Sequence, residues 1–355
     1  MLQSFDTILI NGDSSVKEAM KQLDKTAEKI LFVVDEENRL VGSLTDGDIR
    51  RWILADGSLN EVVLSVCFKG TYFVTRNYDI ENVRREILKR KIVYAPVVDE
   101  SRRIVEFLIW DELFGGKLKR KTKDRLDVPV VIMAGGRGTR LDPFTRILPK
   151  PLIPIGDKSI MELIIDKFLE HGVDHFYISI NHKSKIIKSY FEELEPNYRI
   201  TYLYEDKPLG TAGALKQLDG QIEGNIVLTN CDIIIDADYS DILTHHVASG
   251  NAITAVASVK NFKIPYGICE IKNGGTLVNI AEKPEYSYLV NTGMYIFNSS
   301  ILRHMPQNEP FHATHMIEKA IGLGKRVGVY PISESSWIDI GEWDEFKKAV
   351  HLLGI

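Results

Sequence analysis

Residues 128–133 form an uninterrupted apolar run, the pattern of a parallel strand buried on both faces. A glycine-rich stretch follows. Met161, Ile164, Ile165, Phe168 and Leu169 then recur at helical spacing, which predicts an amphipathic helix. Further apolar segments at 175–180, 200–204, 226–229 and 252–259 read as strands, with a helix over 239–249. Strands alternating with helices in this way predict an α/β fold, a mostly parallel sheet with helices on both faces. Open sheets of this kind bind ligands beyond the carboxyl ends of their strands, and the polar motifs of this chain fall there.

The first third of the chain is patterned differently, as an internal repeat. Ile30-Leu-Phe-Val-Val-Asp-Glu36 aligns with Tyr94-Ala-Pro-Val-Val-Asp-Glu100 at an offset of 64 residues. The same offset sets Val16, Ala19 and Met20 over Ile80, Val83 and Arg84, and Arg39-Leu-Val41 over Arg103-Ile-Val105. Each copy reads as helix, short strand, turn, short strand, helix. A unit that small cannot bury its own apolar face, so the two copies are expected to pack as a pair in one domain, residues 1–115. A basic run over 116–127, with Lys117, Lys119, Arg120, Lys121, Lys123 and Arg125, has no interleaved aromatic residue and reads as a solvated linker. The second domain is then 128–355.

Composition narrows the classes available. A length of 355 residues suits about two domains. With 44% hydrophobic and 26% charged residues, the chain is neither disordered nor collagen-like nor a disulfide-stapled miniprotein. A net charge of −5 gives no reason to expect nucleic acid as a partner. No apolar run approaches the ~20 residues of a membrane helix, so no membrane partner is expected. Met1 to Asp13 has neither a basic n-region nor a sustained apolar core, so no secretory leader is expected. Cys67, Cys231 and Cys269 lie far apart, which fits a reducing compartment and a cytoplasmic location.

The strongest chemical signal is Ala134-Gly-Gly-Arg-Gly-Thr-Arg-Leu141 followed by Pro149-Lys-Pro151. Gly135, Gly136 and Gly138 let the backbone approach a ligand closely, so that consecutive amides can cradle phosphate. Arg140 and Lys150 add positive charge. No Gly-Lys-Ser/Thr closes the loop as in a Walker motif, and Leu141 stands at the third glycine position of a dinucleotide fingerprint. The combination of loop and Pro-Lys-Pro resembles the signature of the sugar-1-phosphate nucleotidyltransferases, and the resemblance extends over most of 128–355. It implies a Rossmann-like domain with a mixed, mostly parallel sheet. It also implies Mg²⁺-dependent transfer of a nucleoside monophosphate from an NTP to a sugar 1-phosphate, with pyrophosphate released.

Later motifs recur in that family's order. Leu209-Gly-Thr-Ala-Gly-Ala-Leu215 resembles its second glycine loop, which implies nucleotide contacts at Gly210, Thr211 and Gly213 beside those of Thr139 and Asn181. Glu282-Lys-Pro284 resembles its sugar-phosphate motif and Asn291-Thr-Gly-Met-Tyr295 the strand beneath the sugar, implying sugar contacts from Glu282, Lys283, Asn291 and Gly267. Trp337-Ile-Asp-Ile-Gly341 resembles its late metal motif, so Asp232 and Asp339 are the implied Mg²⁺ ligands. One departure stands out: Cys231 precedes Asp232 where the family has glycine.

The repeat resembles a CBS-domain pair, a module that often binds adenine nucleotides. Gly42-Ser-Leu-Thr-Asp-Gly-Asp48 resembles its ribose-binding turn, with Thr45 and Asp48 as the implied contacts; a helix cap is the plainer reading of the same two residues. The second copy has Ile109 and Glu112 at those places. Such pairs often pack together, so a homo-oligomer is expected. A CBS pair ahead of a transferase resembles the guanylyltransferases of legionaminic acid biosynthesis, which implies GTP and glucosamine 1-phosphate. Mannose-1-phosphate guanylyltransferase, another NDP-sugar pyrophosphorylase, and an inactive nucleotide-sensing regulator are the alternatives. His312 and His315 lie three apart without further ligands at zinc spacing and read as structural. Trp343 and Phe346 read as core.

Overall fold

The computed structural model describes residues 5–26, 29–90, 92–109, 113, 125–341, 343 and 345–347. Glu112 and the basic residues from Lys117 to Lys123 lie outside them. The chain separates into two compact units, Met1–Lys121 and Thr122–Ile355.

Unit 1 contains strands β1 (Leu9–Asn11), β2 (Ile30–Val34), β3 (Leu40–Thr45), β4 (Val74–Thr75), β5 (Tyr94–Val98) and β6 (Ile104–Ile109). They form two three-stranded sheets, β1-β2-β3 and β4-β5-β6. In each sheet a parallel pair is followed by an antiparallel one. The repeat holds residue by residue: β2 and β5 share one burial pattern. Both antiparallel pairs shift register at the corresponding step, Val33/Val34 and Val97/Val98. The copies meet at equivalent positions, where Arg39 bridges Arg103 and the Leu40 N–H donates to the Arg102 carbonyl at 2.8 Å. Ile8, Phe32, Leu40, Val98 and Phe107 form a core drawn from both copies, with the Phe32 and Phe107 rings 5.0 Å apart. Each copy therefore closes the apolar face of the other.

Unit 2 contains β7 (Val130–Met133), β8 (Pro154–Ile155), β9 (Lys158–Ser159), β10 (His175–Ile180), β11 (Arg199–Tyr204), β12 (Asn225–Asn230), β13 (Ile233–Ile235), β14 (Ile253–Lys263), β15 (Ile268–Lys272), β16 (Thr276–Ala281), β17 (Glu285–Asn298), β18 (Val327–Ile332) and β19 (Trp337–Asp339). Seven of them build the main sheet in the order β11-β10-β7-β12-β17-β14-β18. The first four run parallel. β17 is antiparallel to both neighbours, and β18 is parallel to β14. The sheet is mixed and mostly parallel, as the sequence motifs implied.

Two apolar layers cover this sheet. One holds the helices Ile160–Leu169, Ser184–Leu194 and Tyr239–Ala248. The other holds the helix Ala313–Gly322 and the 3-10 segment Gly213–Leu218. The first helix starts where it does because Ser159 and Glu162 form a reciprocal capping box. β14 outruns the apolar pattern that predicts a strand at 252–259. It continues to Lys263 because β17 pairs with it over that whole length, Lys263 opposite Glu285. The pairing supplies the backbone hydrogen bonds that the polar residues at its far end do not disturb. Among the described residues no helix is long and apolar enough to cross a membrane.

A buried histidine ties the helix Tyr239–Ala248 to the sheet. His246 Nδ1 lies 2.8 Å from Thr254 Oγ1 and Nε2 lies 3.3 Å from Asn225 Oδ1. Burial, with the neighbouring His245 adding to it, pushes its pKa down to about 4 from the ordinary 6.5. The native state therefore holds the ring neutral at a pH where the unfolded chain has begun to protonate it. Its contribution to stability is complete above pH 6.5 and is lost as pH falls towards 4. His246→Gln is expected to flatten the pH dependence of the urea midpoint in that window; a variant that keeps the wild-type slope would refute the assignment.

Candidate active site

A cleft of about 460 Å³ opens at the carboxyl ends of β7 and β12. Its walls include the loop from Gly135 to Arg140, Lys150, Glu205, the loop residues Pro208, Gly210 and Thr211, and Asn230 to Asp232. Of the residues singled out from sequence, Gly135, Gly136, Gly138, Thr139, Arg140, Lys150, Gly210, Thr211 and Asp232 meet in this one cavity.

The three glycines of the first loop stand in different surroundings. Gly138 has φ +67°, and a Cβ there would sit 2.9 Å from Lys150 Cβ and 3.0 Å from Thr145 Cγ2. At Gly135 a Cβ would come within 2.9 Å of Glu205 Oε1. A Cβ on Gly136 would meet no heavy atom within 4 Å, and the residue lines the cleft.

Glu205, which the sequence reading did not single out, anchors both loops. It is 7% exposed and accepts hydrogen bonds from Ser179 Oγ and from the Leu209 N–H. Asn181 donates to the Glu205 carbonyl and stands behind the cleft wall. A lone glutamate directly after an apolar strand was the available signal. The second loop is further bolted to residues 311–313. Ala212 N–H donates to the Phe311 carbonyl at 3.0 Å and Phe311 N–H to the Leu209 carbonyl at 2.8 Å. Ala313 N–H donates to Thr211 Oγ1 at 3.0 Å. His312 and His315 cap the helix that begins there. Gly213 packs inside this turn, where a Cβ would meet Leu209 Cβ at 2.7 Å, and does not line the cleft.

Charge converges at one point. Lys150, with 9% of its side chain exposed, forms an ion pair with Asp232 Oδ2. Asp232 immediately precedes β13, which pairs with β19 so that Ile233 opposes Asp339. The Ile340 N–H donates to the Asp232 carbonyl at 2.8 Å. A Cβ added to Gly341 would lie 2.8 Å from Asp339 Oδ1, 3.3 Å from Asp232 Oδ2 and 3.4 Å from Lys150 Nζ. Burial raises the pKa of Asp339, and the Asp232 charge adds to that rise against a lowering hydrogen bond from the Gly341 N–H. A cation beside the two carboxylates would relieve both strains. Two carboxylates with hard oxygen donors, that of Asp232 lining the cleft, suit Mg²⁺, which is commonly held by one or two carboxylates together with substrate phosphates. No group of three His, Cys, Asp or Glu side chains able to hold a metal occurs among the described residues.

Cys231 points into the core beside this site, 6% exposed. Burial pushes its thiol up to about 12, so it is inert as a nucleophile near neutral pH. The implied sugar contacts stand apart from the cavity walls. Asn291 donates to the Tyr295 hydroxyl at 2.6 Å and accepts from the Gly293 N–H at 3.2 Å. Gly293 in turn abuts Asn230. Glu282 and Lys283 are exposed where β16 gives way to β17, and a Cβ on Gly267 would lie 2.9 Å from Glu282 Oε2. Trp343 and Phe346 pack against the core, and the Trp343 Nε1–H donates to the Asp142 carbonyl at 2.8 Å.

In unit 1, Thr45 and Asp48 form a capping box on the helix Asp46–Leu54. The Thr45 N–H and hydroxyl both donate to Asp48 Oδ2, at 2.9 and 2.6 Å. Arg51 pairs with the other carboxylate oxygen.

Comparison with known proteins identifies the family. A family profile described as nucleotidyl transferase matches residues 129–353, and one for the CBS domain matches residues 4–55. The bifunctional protein GlmU of Methanococcus maripaludis is 32% identical over 233 residues, 63% of this chain and 54% of that protein. The mannose-1-phosphate guanylyltransferase catalytic subunit beta of Dictyostelium discoideum is 30% identical, over 62% of this chain and 63% of that one. The chain thus spans between half and two thirds of the length of these relatives. The crystal structure of HddC from Yersinia pseudotuberculosis shares the fold, with a TM-score of 0.51 and 24% identity over 64% of this chain and 99% of that one.

Gly138→Ala is expected to lower stability by ~1 kcal/mol or more, because it strains a left-handed residue and crowds Lys150. Gly136→Ala, with open space around it, is expected to leave the urea midpoint unchanged. Equal midpoints for the two variants would overturn this account of the loop.

Proposed function

The chain belongs to the nucleotidyl transferase family, and on that footing we propose that it joins a nucleoside triphosphate to a sugar 1-phosphate, releasing pyrophosphate. The observation that carries this reading is the meeting of Lys150, Asp232 and Asp339 around Gly341, beside a glycine loop that lines an open cleft.

An oxygen of the sugar phosphate attacks the α-phosphorus of the nucleotide, and pyrophosphate leaves in line. That oxygen is already anionic near neutral pH, so no general base is needed. The obstacle is bringing two polyanions together and stabilising the charge that develops. Backbone amides from Gly135 to Gly138, with Arg140 and Lys150, hold the triphosphate and neutralise the departing pyrophosphate. Asp232 and Asp339 would hold Mg²⁺, which would supply positive charge at the reacting phosphate. Thr139, Asn181 and the Gly210–Gly213 loop position the nucleoside. Lys283 neutralises the sugar phosphate, while Glu282, Asn291 and the Gly267 backbone receive the sugar.

GTP and glucosamine 1-phosphate are the favoured substrates. A CBS unit ahead of the transferase supports them through its likeness to the guanylyltransferases of legionaminic acid biosynthesis, and a mannose-1-phosphate guanylyltransferase stands among the relatives. The GlmU and mannose-1-phosphate relatives keep N-acetylglucosamine and mannose 1-phosphates in view. Cys231 gives no support to an inactive regulator, since it is accommodated in the core without displacing Asp232 from the cleft.

Pyrophosphate release should be measured with Mg²⁺ across five nucleoside triphosphates and the 1-phosphates of glucosamine, N-acetylglucosamine, mannose and glucose. The highest kcat/KM is expected for GTP with glucosamine 1-phosphate. A different best pair would keep the reaction and discard the pathway; silence from every pair in folded protein would refute the reaction. Asp232→Asn is expected to lower kcat by about 100-fold or more with little change in melting temperature.

The CBS match to the first copy supports an adenine nucleotide at Thr45 and Asp48. AMP or ATP is then expected to raise the melting temperature or alter the rate. Because Asp48 also caps a helix, the diagnostic quantity is the nucleotide-induced shift. Asp48→Ala should abolish that shift, and an unchanged one would remove these residues from the site.

A further inference from the structure

Between the end of β7 and Lys150 the chain makes a long excursion that carries Arg140 along the cleft wall. Apolar packing holds little of it in place. Leu141 and Thr145 are buried, but Phe144 is 46% and Ile147 77% exposed, and Asp142, Pro143 and Arg146 are exposed as well. Asp142 closes a turn on itself, accepting from Thr145 Oγ1 at 2.8 Å and pairing with Arg146 at 3.2 Å. These local bonds shape the turn; they do not fix where it sits.

Two side chains from distant parts of the chain reach it. The Trp343 Nε1–H donates to the Asp142 carbonyl at 2.8 Å, with its ring 5.0 Å from that of Phe144. Lys183 Nζ donates to the Thr145 carbonyl at 2.8 Å. Both acceptors are backbone atoms, so each bond fixes the course of the chain itself. Water can satisfy a carbonyl at an exposed residue such as Asp142, so the Trp343 bond places the turn rather than relieving a buried polar group. Lys183 is held at φ +55°, where a side chain is costly and such strain needs support from its surroundings. The helix Ser184–Leu194 starts directly after it.

Each partner belongs to a stretch that already serves the cleft. Trp343 follows Gly341, around which Lys150, Asp232 and Asp339 meet, and Lys183 follows Asn181. Asp142 in turn follows Arg140. We propose that Lys183 and Trp343 are positioning residues, which latch the Asp142–Thr145 turn from two segments and so set Arg140 against the outer phosphates of the nucleotide, the part that leaves as pyrophosphate. The inference rests on the nucleotidyl-transfer reading above and adds how the charge on those phosphates is met. Neither residue lines the cleft. The latch acts on the phosphate loop, so its loss falls on pyrophosphate and spares the sugar phosphate.

Inorganic pyrophosphate with Mg²⁺, titrated into the full chain by calorimetry, probes this subsite without turnover. Trp343→Phe keeps a ring and removes the donor; Lys183→Met keeps the stem and removes the ammonium. Each is expected to raise the pyrophosphate dissociation constant at least about fivefold, the worth of one such hydrogen bond, while the KM for sugar 1-phosphate stays unchanged. Lys183→Arg, which can still donate, should bind pyrophosphate nearly as the wild type does. Arg146→Gln removes an exposed charge from the same turn without touching either carbonyl, and should also bind as the wild type does. Melting temperatures check that each variant is folded. A wild type that does not bind pyrophosphate, or Trp343→Phe and Lys183→Met chains that bind it normally, overturn the proposal. So does an equal rise in the KM for sugar 1-phosphate, or an equal loss in Arg146→Gln, which would mark bulk charge. A wild type that binds pyrophosphate and turns over no substrate pair would refute the reaction, and the titrations would still decide the latch.

Discussion

Burying a lysine ammonium and two carboxylates in one small volume is the constraint around which unit 2 is arranged. Charges taken out of water cost several kcal/mol each unless they are paired. Lys150 is paired with Asp232, and Asp339 sits against the same glycine. Three separate parts of the chain must be held together to make this possible. Lys150 comes from the segment after the first glycine loop. Asp232 comes from the end of β12, and Asp339 from β19, which is tied back to β13 by its own short ladder. Gly341 is the position where this convergence leaves no room for a side chain. Burial, with the Asp232 charge as a smaller contribution, raises the pKa of Asp339 there.

The glycine loops solve a related problem, which is to border an open cleft without collapsing onto each other. Glu205 does much of this from behind. Its carboxylate takes hydrogen bonds from Ser179 and from the start of the second loop, while Gly135 passes close against it. Residues 311–313 hold the second loop from the other side. The loops are therefore pinned at their shoulders, and Gly136 stays open between them. Unit 1 shows the same economy on a smaller scale, where Thr45 and Asp48 satisfy a helix end and each other.

Much of this architecture was legible in the sequence. The apolar run at 128–133 marked a central strand, and the spacing of Met161, Ile164, Ile165 and Phe168 marked the helix that packs beneath it. The offset of 64 residues reached down to matching bulges in the two halves of unit 1. Local patterning carries this information because burial on one face imposes a period that any buried strand or helix must follow. Motif order likewise led to most of the residues that line the cleft, since a loop that approaches phosphate needs glycine at particular positions.

The tertiary structure decided what no local pattern encodes. Glu205 is an ordinary glutamate in sequence and becomes a strut only because β10 and β11 are neighbours. Cys231 departs from a family motif, and its thiol is pushed up by the core that buries it. Glu282, Lys283 and Asn291 do not line the cavity that holds the other motif residues. Which residues of β15–β16 share a side is set by the register, which a bulge at Val278 shifts. Periodicity in a chain fixes which residues seek burial; which of them find partners depends on contacts between segments far apart in sequence, and those exist only in the folded molecule.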